Sequence, residues 1–200
     1  PRPISKCKTN IAKQLALFFE ILHSGKTPRM NSDGVTSHEA LTGGSFQTIS
    51  GGSIGSPKVL ERTCFSWILS FNTNDKNYNL RGSKVALFGS VNHSLSLYGA
   101  LEAIFLGCEV HHLAGLSPSS QLQYLASKKI EILYLTPTQL RFMLSAKYQN
   151  YLIKSLRYVF IGGASIEQNI LIELSKIAPN AELKQFYGSS ETSFITISDL

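Results

Sequence analysis

Three glycines and three serines stand ahead of a lysine in the stretch Ser50–Lys58, which reads SGGSIGSPK. A backbone rich in glycine can turn sharply and approach a ligand closely, because no Cβ stands in the way. Serine hydroxyls and backbone N–H groups add hydrogen-bond donors, and the Lys58 ammonium adds a positive charge. These groups together match the oxyanions of a phosphate. We therefore predict a phosphate-binding loop, with a flexible Gly/Ser linker as the alternative.

The same stretch differs from a Walker-type P-loop. In that motif Gly-Lys-Ser/Thr opens a helix, whereas here Pro57 separates the last glycine from Lys58 and Val59-Leu60 continue in a strand-like manner. The sequence therefore predicts a phosphate loop that leads into a strand.

Two further glycine-containing stretches follow apolar segments that resemble strands. Tyr187–Glu191 (YGSSE) offers an aromatic ring, hydroxyls and a carboxylate, and an ordinary turn with a satisfied polar cluster is the alternative. Gly162–Ser165 (GGAS) can form a tight strand-to-helix turn.

The loop SGGSIGSPK resembles the signature T-S-G-S/T-T-G-x-P-K of the adenylate-forming, AMP-binding acyl-CoA synthetase superfamily, with Ile54 in place of the usual threonine. The stretch YGSSE resembles the second family signature, Y-G-x-T-E, and GGAS resembles the G-G-A/E-x segment. All three follow one another in the family's order, and the resemblance covers residues from about 46 to 198.

The resemblance implies a role for each segment. The residues implied to hold the pyrophosphate side of ATP are Ser50, Gly51, Gly52, Ser53, Gly55 and Lys58. Those implied to hold the adenine of ATP or AMP lie in two segments, Gly162-Gly163-Ala164 and Tyr187-Gly188-Ser189. Ser190 would contact the α-phosphate and Glu191 would hold magnesium, so that Lys58, Ser190 and Glu191 are the implied catalytic residues. His93 would lie beside the acid substrate, with a simple helix cap as the alternative.

By resemblance, the chain is expected to activate a fatty or aryl carboxylic acid as an acyl-adenylate and to pass it to coenzyme A or another thiol. Family members also carry a ribose-binding aspartate, a hinge and a small C-terminal domain with a lysine, but only nine residues follow Glu191 here. We therefore expect weak or absent turnover unless a separate C-terminal domain or chain takes part. The alternatives are a truncated relative that binds nucleotide without turnover and one piece of a split ligase.

Strand-like and helical segments alternate from residue 84 onward. The predicted strands cover residues 84–89, 109–113, 130–135, 156–161 and 182–186, and the helices between them begin near residues 94, 117, 136 and 165, the last two with capping boxes. The strands are apolar throughout, which is typical of a parallel sheet covered on both faces. We predict an α/β fold with a doubly wound, mostly parallel sheet and helices on both faces, corresponding to part of an acyl-CoA synthetase large domain. Ligands of such sheets bind outside the carboxyl ends of the strands, where all the segments above lie.

The first 45 residues have a different character. The pattern predicts a helix over residues 11–22, a polar loop over 29–44, a strand over 46–49 and a helix over 65–71. We therefore divide the chain into a basic N-terminal helix and loop, 1–45, and an AMP-binding core, 46–200. Residues 1–30 carry six basic side chains against one acidic, so most of the net charge of +6 belongs to this end. Nucleic-acid binding requires basic residues on a folded face, so we predict no nucleic-acid partner.

Cysteine content and hydropathy bear on location. The three cysteines are widely spaced and form neither a metal-type pair nor a disulfide framework, which favours a reducing, cytoplasmic setting. No apolar run approaches the roughly 20 residues that a membrane-spanning helix needs. The apolar patch Leu15–Leu22 is interrupted by Glu20 and lacks a clean cleavage site, so we predict neither a signal peptide nor a membrane span.

Overall fold

A computed structural model describes residues 10–40, 43–49, 58–146, 151–189 and 192–200 of the chain. Within these ranges six helices are formed: α1 Asn10–His23, α2 Cys64–Tyr78, α3 Ser94–Phe105, α4 Pro118–Lys128, α5 Pro137–Leu144 and α6 Gln168–Ile177. The strands of the same ranges are β1 Thr27–Asn31, β2 Gly34–His38, β3 Ser45–Ile49, β4 Val59–Thr63, β5 Lys84–Leu87, β6 Glu109–His112, β7 Ile132–Leu135, β8 Tyr158–Gly162, β9 Glu182–Ser189 and β10 Ser193–Asp199.

The larger of two sheets is six-stranded, with the order β10-β9-β8-β7-β5-β6. Strands β5 to β9 run parallel to their neighbours, and only the edge strand β10 is antiparallel. The central strand β7, Ile132–Leu135, is buried at every position. A strand covered on both faces reads as a continuous apolar run, which is why the sequence predicted it correctly.

Helices cover both faces of this sheet. On one face α2 and α3 bury Trp67 and Leu97 in the same cluster as Phe160 of β8. On the other face α4, α5 and α6 pack against the sheet, with Leu122 and Leu133 in a second cluster. The predicted doubly wound, mostly parallel sheet is therefore confirmed.

A smaller, four-stranded sheet with the order β2-β1-β3-β4 lies in the first third of the chain. The prediction of a polar loop over residues 29–44 was wrong, because β1 and β2 form a hairpin there. Polar side chains in this sheet bond one another across the strands: Arg29 Nε donates to Gln47 Oε1 at 2.8 Å, and Ser45 Oγ donates to Glu61 Oε1 at 2.7 Å. Polar composition therefore did not exclude strand structure. The parallel pairing of β1 with β3 also crosses the predicted division between residues 45 and 46.

The two predicted capping boxes had different outcomes. Thr136 caps α5 as predicted: its hydroxyl accepts from the Gln139 N–H, and the Gln139 side chain accepts from the Thr136 N–H at 2.9 Å. The box at Ser165 was wrong, because α6 begins only at Gln168 with Glu167 as its N-cap. The Glu167 carboxylate is instead bound by the Arg141 guanidinium at 2.7 Å, a partner from α5 that the local sequence does not reveal.

Thr136→Ala is expected to lower the free energy of unfolding by about 1 kcal/mol, because the first turn of α5 would lose its side-chain acceptor. Urea denaturation of the variant and the wild type measures this difference. Thr138→Ala is the matched control, since Thr138 is exposed in the first turn of the same helix. Equal losses in the two variants would contradict a capping role for Thr136.

Candidate functional site

The carboxyl ends of the parallel strands gather most of the predicted segments at one edge of the sheet. Gly162 ends β8 and pairs with Phe186 of β9, so the Gly-Gly-Ala turn lies directly beside the Tyr-Gly-Ser segment. Thr136 follows β7, and residues 89–93 follow β5. Segments more than 90 residues apart in the sequence (89 and 187) therefore lie along the same edge of the sheet.

A cavity of about 490 Å³ lies at this edge. Its lining residues come from the turn after β8 and from β9 and β10: Gly163, Ala164, Ser165, Gln185, Phe186, Tyr187, Gly188, Thr196 and Ser198. Its size is within the range of about 300–1,000 Å³ that is usual for small-molecule pockets. Four of the residues predicted to hold adenine, Gly163, Ala164, Tyr187 and Gly188, are thus brought together around one space.

The local sequence explains the shape of this cavity. Gly163 has φ +94°, a left-handed conformation that favours glycine and turns the chain away from β8. Gln185 Nε2 then donates to the Ala164 carbonyl at 3.2 Å and ties the turn to β9. Tyr187 lines this cavity and is 68% exposed, so it is accessible to a ligand there.

The glycine loop lies outside the described residues from Ser50 through residue 57, which includes Gly51, Gly52, Ser53 and Gly55. Its two ends are described. Ile49 pairs with Val59 across the antiparallel strands β3 and β4, and Lys58 is exposed at the base of the loop. The phosphate role of the loop stays a prediction, but its base is held by strand pairing.

His93 lies next to that base. Ile49 and His93 form an isolated parallel β-bridge, which joins the end of β3 to the residue that precedes α3. His93 is the N-cap of α3, yet its exposed side chain makes no capping hydrogen bond. The bridge therefore places a histidine whose ring does not cap its own helix beside the start of the glycine loop.

Ser190 and Glu191 lie outside the described residues. The residues on either side of them, Ser189 and Thr192, donate hydrogen bonds to each other. The Ser189 N–H donates to Thr192 Oγ1 at 3.1 Å, and the Thr192 N–H donates to Ser189 Oγ at 3.2 Å. Ser189 does not line the cavity. In the described part of the chain, no group of three or more His, Cys, Asp or Glu side chains could hold a metal ion, so magnesium at Glu191 stays a prediction.

The segment that leads to His93 is held at Gly89 by contacts that the sequence did not reveal. His112 Nε2 donates to the Gly89 carbonyl at 2.9 Å, and a Cβ at Gly89 would lie only 2.5 Å from Ser96 Oγ and 2.9 Å from Gln139 Nε2. Burial lowers the pKa of His112, which favours the neutral ring. The hydrogen bond to the Gly89 carbonyl then requires the ring proton on Nε2. The adjacent histidines were visible in the sequence, but a contact 23 residues away was not.

A buried carboxylate connects the elements behind the site. Glu102 on α3 is 2% exposed, and it accepts hydrogen bonds from Asn74 Nδ2 of α2 at 2.8 Å and from the Tyr134 hydroxyl of β7. The Tyr98 hydroxyl belongs to the same group of polar side chains and lies 2.5 Å from Ser70 Oγ. Burial raises the pKa of Glu102 to about 7. Three elements meet at this carboxyl. Helix α2 follows β4, helix α3 follows His93, and strand β7 precedes Thr136.

An open, mostly parallel sheet with a glycine turn and a cavity at its carboxyl edge defines an α/β protein of the kind that binds ligands at this edge. The AMP-binding enzyme family model matches residues 47–200. The chain belongs to the AMP-binding enzyme family.

Curated relatives agree with this assignment. The chain is 30% identical over 154 residues to YhfT, an uncharacterised acyl-CoA ligase of Bacillus subtilis. The aligned region covers 76% of this chain and 32% of YhfT. It is also 30% identical over 146 residues to VraA of Staphylococcus epidermidis, a putative long chain fatty acid-CoA ligase, covering 72% of this chain and 32% of VraA. The chain thus spans about a third of the length of these relatives.

Solved structures share the fold. The adenylation domain AlmE of Vibrio cholerae, in complex with glycyl-adenosine-5'-phosphate, superposes with a TM-score of 0.67 at 18% identity, covering 77% of this chain and 30% of AlmE. In the described ranges of this chain, every helix is too short or too polar to cross a membrane.

Proposed function

We propose that this chain forms the nucleotide-binding core of an ATP-dependent acid–thiol ligase. The observation that carries the proposal is the cavity at the carboxyl edge, which is lined by Gly163, Ala164 and Tyr187 and lies within the segment that matches the family. In the first reaction an oxygen of the substrate carboxylate attacks the α-phosphorus of ATP. The bond from that phosphorus to the pyrophosphate oxygen breaks, and acyl-adenylate and pyrophosphate result.

We assign adenine to the cavity. The Tyr187 ring would stack on the base, since aromatic faces are favourable platforms for planar groups. The glycine turn would let the base approach the backbone of Gly163 without meeting a side chain. The Gln185 amide donates a hydrogen bond to the Ala164 carbonyl, which fixes the position of the turn against which the base would lie.

We assign the triphosphate to the glycine loop. Ser50, Gly51, Gly52, Ser53 and Gly55 would supply hydroxyl and backbone donors, and Lys58 a positive charge that is most useful as pyrophosphate leaves. Ser190 would donate to the α-phosphate, and Glu191 would hold magnesium. Magnesium, when bound, supplies charge neutralisation at the phosphate oxygens.

We place the acid beside His93, because the Ile49–His93 bridge brings the start of α3 to the base of the glycine loop. In a second reaction the deprotonated sulfur of coenzyme A or another thiol, its proton having passed to solvent, would attack the acyl carbon. The bond from that carbon to the phosphate oxygen would break, and a thioester and AMP would result. We propose a cytoplasmic location, which the sparse and unpaired pattern of cysteines supports.

Exchange of labelled pyrophosphate into ATP tests the first reaction. The proposal predicts exchange that requires a carboxylic acid, with acids from acetate to dodecanoate and benzoate as the panel. Absence of exchange with every acid would overturn activity of this chain on its own.

A second candidate is a nucleotide-binding protein without turnover, because the residues that line the cavity are those proposed to hold adenine, and they need only bind a base. Calorimetry with ATP and AMP separates the two candidates. Binding without exchange selects the second, and absence of binding contradicts both.

A further inference from the structure

A further cavity, of about 150 Å³, lies between the helices α1, α2 and α3. Aromatic and aliphatic side chains form its walls, together with the Cys64 thiol. Phe18 and Phe19 contribute from α1, Trp67 from α2 and Ile104 from α3. We call this space the apolar cavity, because its walls offer a ligand almost nothing but hydrocarbon surface.

The apolar cavity is separate from the cavity beside Tyr187. Among the described residues, the two cavities share no lining residue. The apolar cavity meets α3 from Leu101 onward, and Leu101 lies about 12 Å along the helix axis from His93. Its α1 wall, with Phe18 and Phe19, precedes residue 47, where the family match begins. The family assignment therefore does not account for this cavity.

The size and the walls of the apolar cavity suit a single aromatic ring. A dry cavity of about 150 Å³ lined by Leu, Ile and Phe side chains is large enough to bind benzene. Aromatic rings favour edge-to-face contacts, and Trp67 already makes one with Phe46 at 4.7 Å between ring centroids. A charged ligand is disfavoured, because these walls cannot pair a buried charge. The expected occupant is therefore neutral and of one-ring size.

Trp67 adds one polar group to this region. It is 3% exposed, and its indole Nε1 has no hydrogen-bond partner among the described residues. Buried indole N–H groups usually have a partner, and a buried donor left without an acceptor destabilises the folded state. A ligand that carries a carbonyl oxygen would supply the acceptor that Trp67 lacks.

We propose that the apolar cavity binds a neutral, one-ring aromatic carbonyl compound, whose oxygen accepts a hydrogen bond from the Trp67 indole N–H. The proposal goes beyond the proposed function, since it involves neither the glycine loop nor the cavity beside Tyr187. Acetophenone is the probe, because it combines one ring with a short, uncharged carbonyl group. Ethylbenzene is the matched compound, because it keeps the ring and the chain length but lacks the acceptor.

The indole N–H resonance of Trp67 reports binding directly, because Trp67 is the single tryptophan of the chain. In ¹H–¹⁵N NMR spectra, acetophenone should move this resonance downfield, and ethylbenzene should move it less because it accepts no hydrogen bond. Trp67→Phe should weaken acetophenone binding about five- to tenfold more than ethylbenzene binding, as measured by ligand-observed NMR. Benzoate should displace neither compound, because its carboxylate is charged.

Ile104→Phe should abolish binding of both compounds, since the added ring would fill the apolar cavity. Ile172→Phe is the matched control, because Ile172 is half-exposed on α6 and does not line the cavity. It should bind both compounds as the wild type does.

An indole resonance of the wild type that stays in place, or moves equally with the two compounds, would overturn the proposal. Displacement by benzoate would also overturn it, and so would equal binding by the two isoleucine variants. A resonance that shifts with protein concentration alone would indicate that a second copy of the chain occupies the cavity, which contradicts the proposal as well. None of these outcomes depends on ATP binding or on pyrophosphate exchange.

Discussion

Lys58→Ala is expected to slow acid-dependent pyrophosphate exchange by a factor of about 10²–10³, the usual cost of removing one group that stabilises developing charge. Negative charge accumulates on pyrophosphate as its bond to the α-phosphorus breaks, and Lys58 stands at the base of the loop proposed to hold it. The fold should be unaffected, because Lys58 is exposed. Exchange rates together with thermal unfolding curves measure both effects.

Lys154→Ala is the matched control for this prediction. Lys154 is also an exposed lysine, but it lies between α5 and β8, away from the glycine loop. It should exchange pyrophosphate at the wild-type rate. If the wild type binds ATP without exchange, the readout becomes ATP affinity, which Lys58→Ala should weaken and Lys154→Ala should not. Equal behaviour of the two variants would remove Lys58 from the site.

Glu102→Leu is expected to lower the free energy of unfolding by about 2–5 kcal/mol at pH 5.5. The Asn74 amide and the Tyr134 hydroxyl donate to this carboxyl in the core, and each buried donor left without an acceptor costs about 1–3 kcal/mol. Urea denaturation measures the loss. Leu97→Ala serves as a reference for an ordinary core truncation on the same helix. A leucine variant as stable as the wild type would contradict the importance of this network.

The stability that Glu102 contributes should depend on pH, and Glu102→Gln isolates the effect. Burial raises the pKa of Glu102 from an ordinary 4.5 to about 7, with a smaller contribution from Asp75. A carboxyl whose folded pKa is raised stabilises fully below its unfolded pKa, and this contribution is lost as pH rises through the folded pKa. The glutamine variant should gain stability relative to the wild type between pH 4.5 and pH 8, by up to about 3 kcal/mol. A difference that is flat across this range would contradict the raised pKa.

The sequence was sufficient to predict elements whose burial is visible in their composition. Strands β5 and β7 are apolar because both faces are covered, and the predicted bounds agree with the structure within two residues. The hairpin β1–β2 and the edge strand β10 were missed. Most of their residues are polar, and the apolar Ile195 is 57% exposed. They are strands because they pair with other strands.

In the candidate site, too, some features could be predicted from the sequence and others could not. The Gly-Gly-Ala motif indicated the correct end of β8, since turns are encoded by neighbouring residues. The Tyr-Gly-Ser motif did not, because β9 continues through Ser189 instead of ending at residue 186. The contacts of His112 with Gly89 and of Phe186 with Gly162 could not be predicted, because each joins residues from different strands. Chemistry that depends on one short segment is therefore visible in this sequence, whereas the shape of the pocket is not.

The backbone bridge between Ile49 and His93 connects the two halves of the proposed site, the start of the glycine loop and the residue that precedes α3. A ligand that moves the start of the glycine loop must also move the residue that begins α3, or break the bridge. By reciprocity, a nucleotide that changed the affinity for the acid by some factor would have its own affinity changed by the acid by the same factor. A single backbone contact thus connects the two proposed binding regions, and any coupling that passes through it would act equally in both directions.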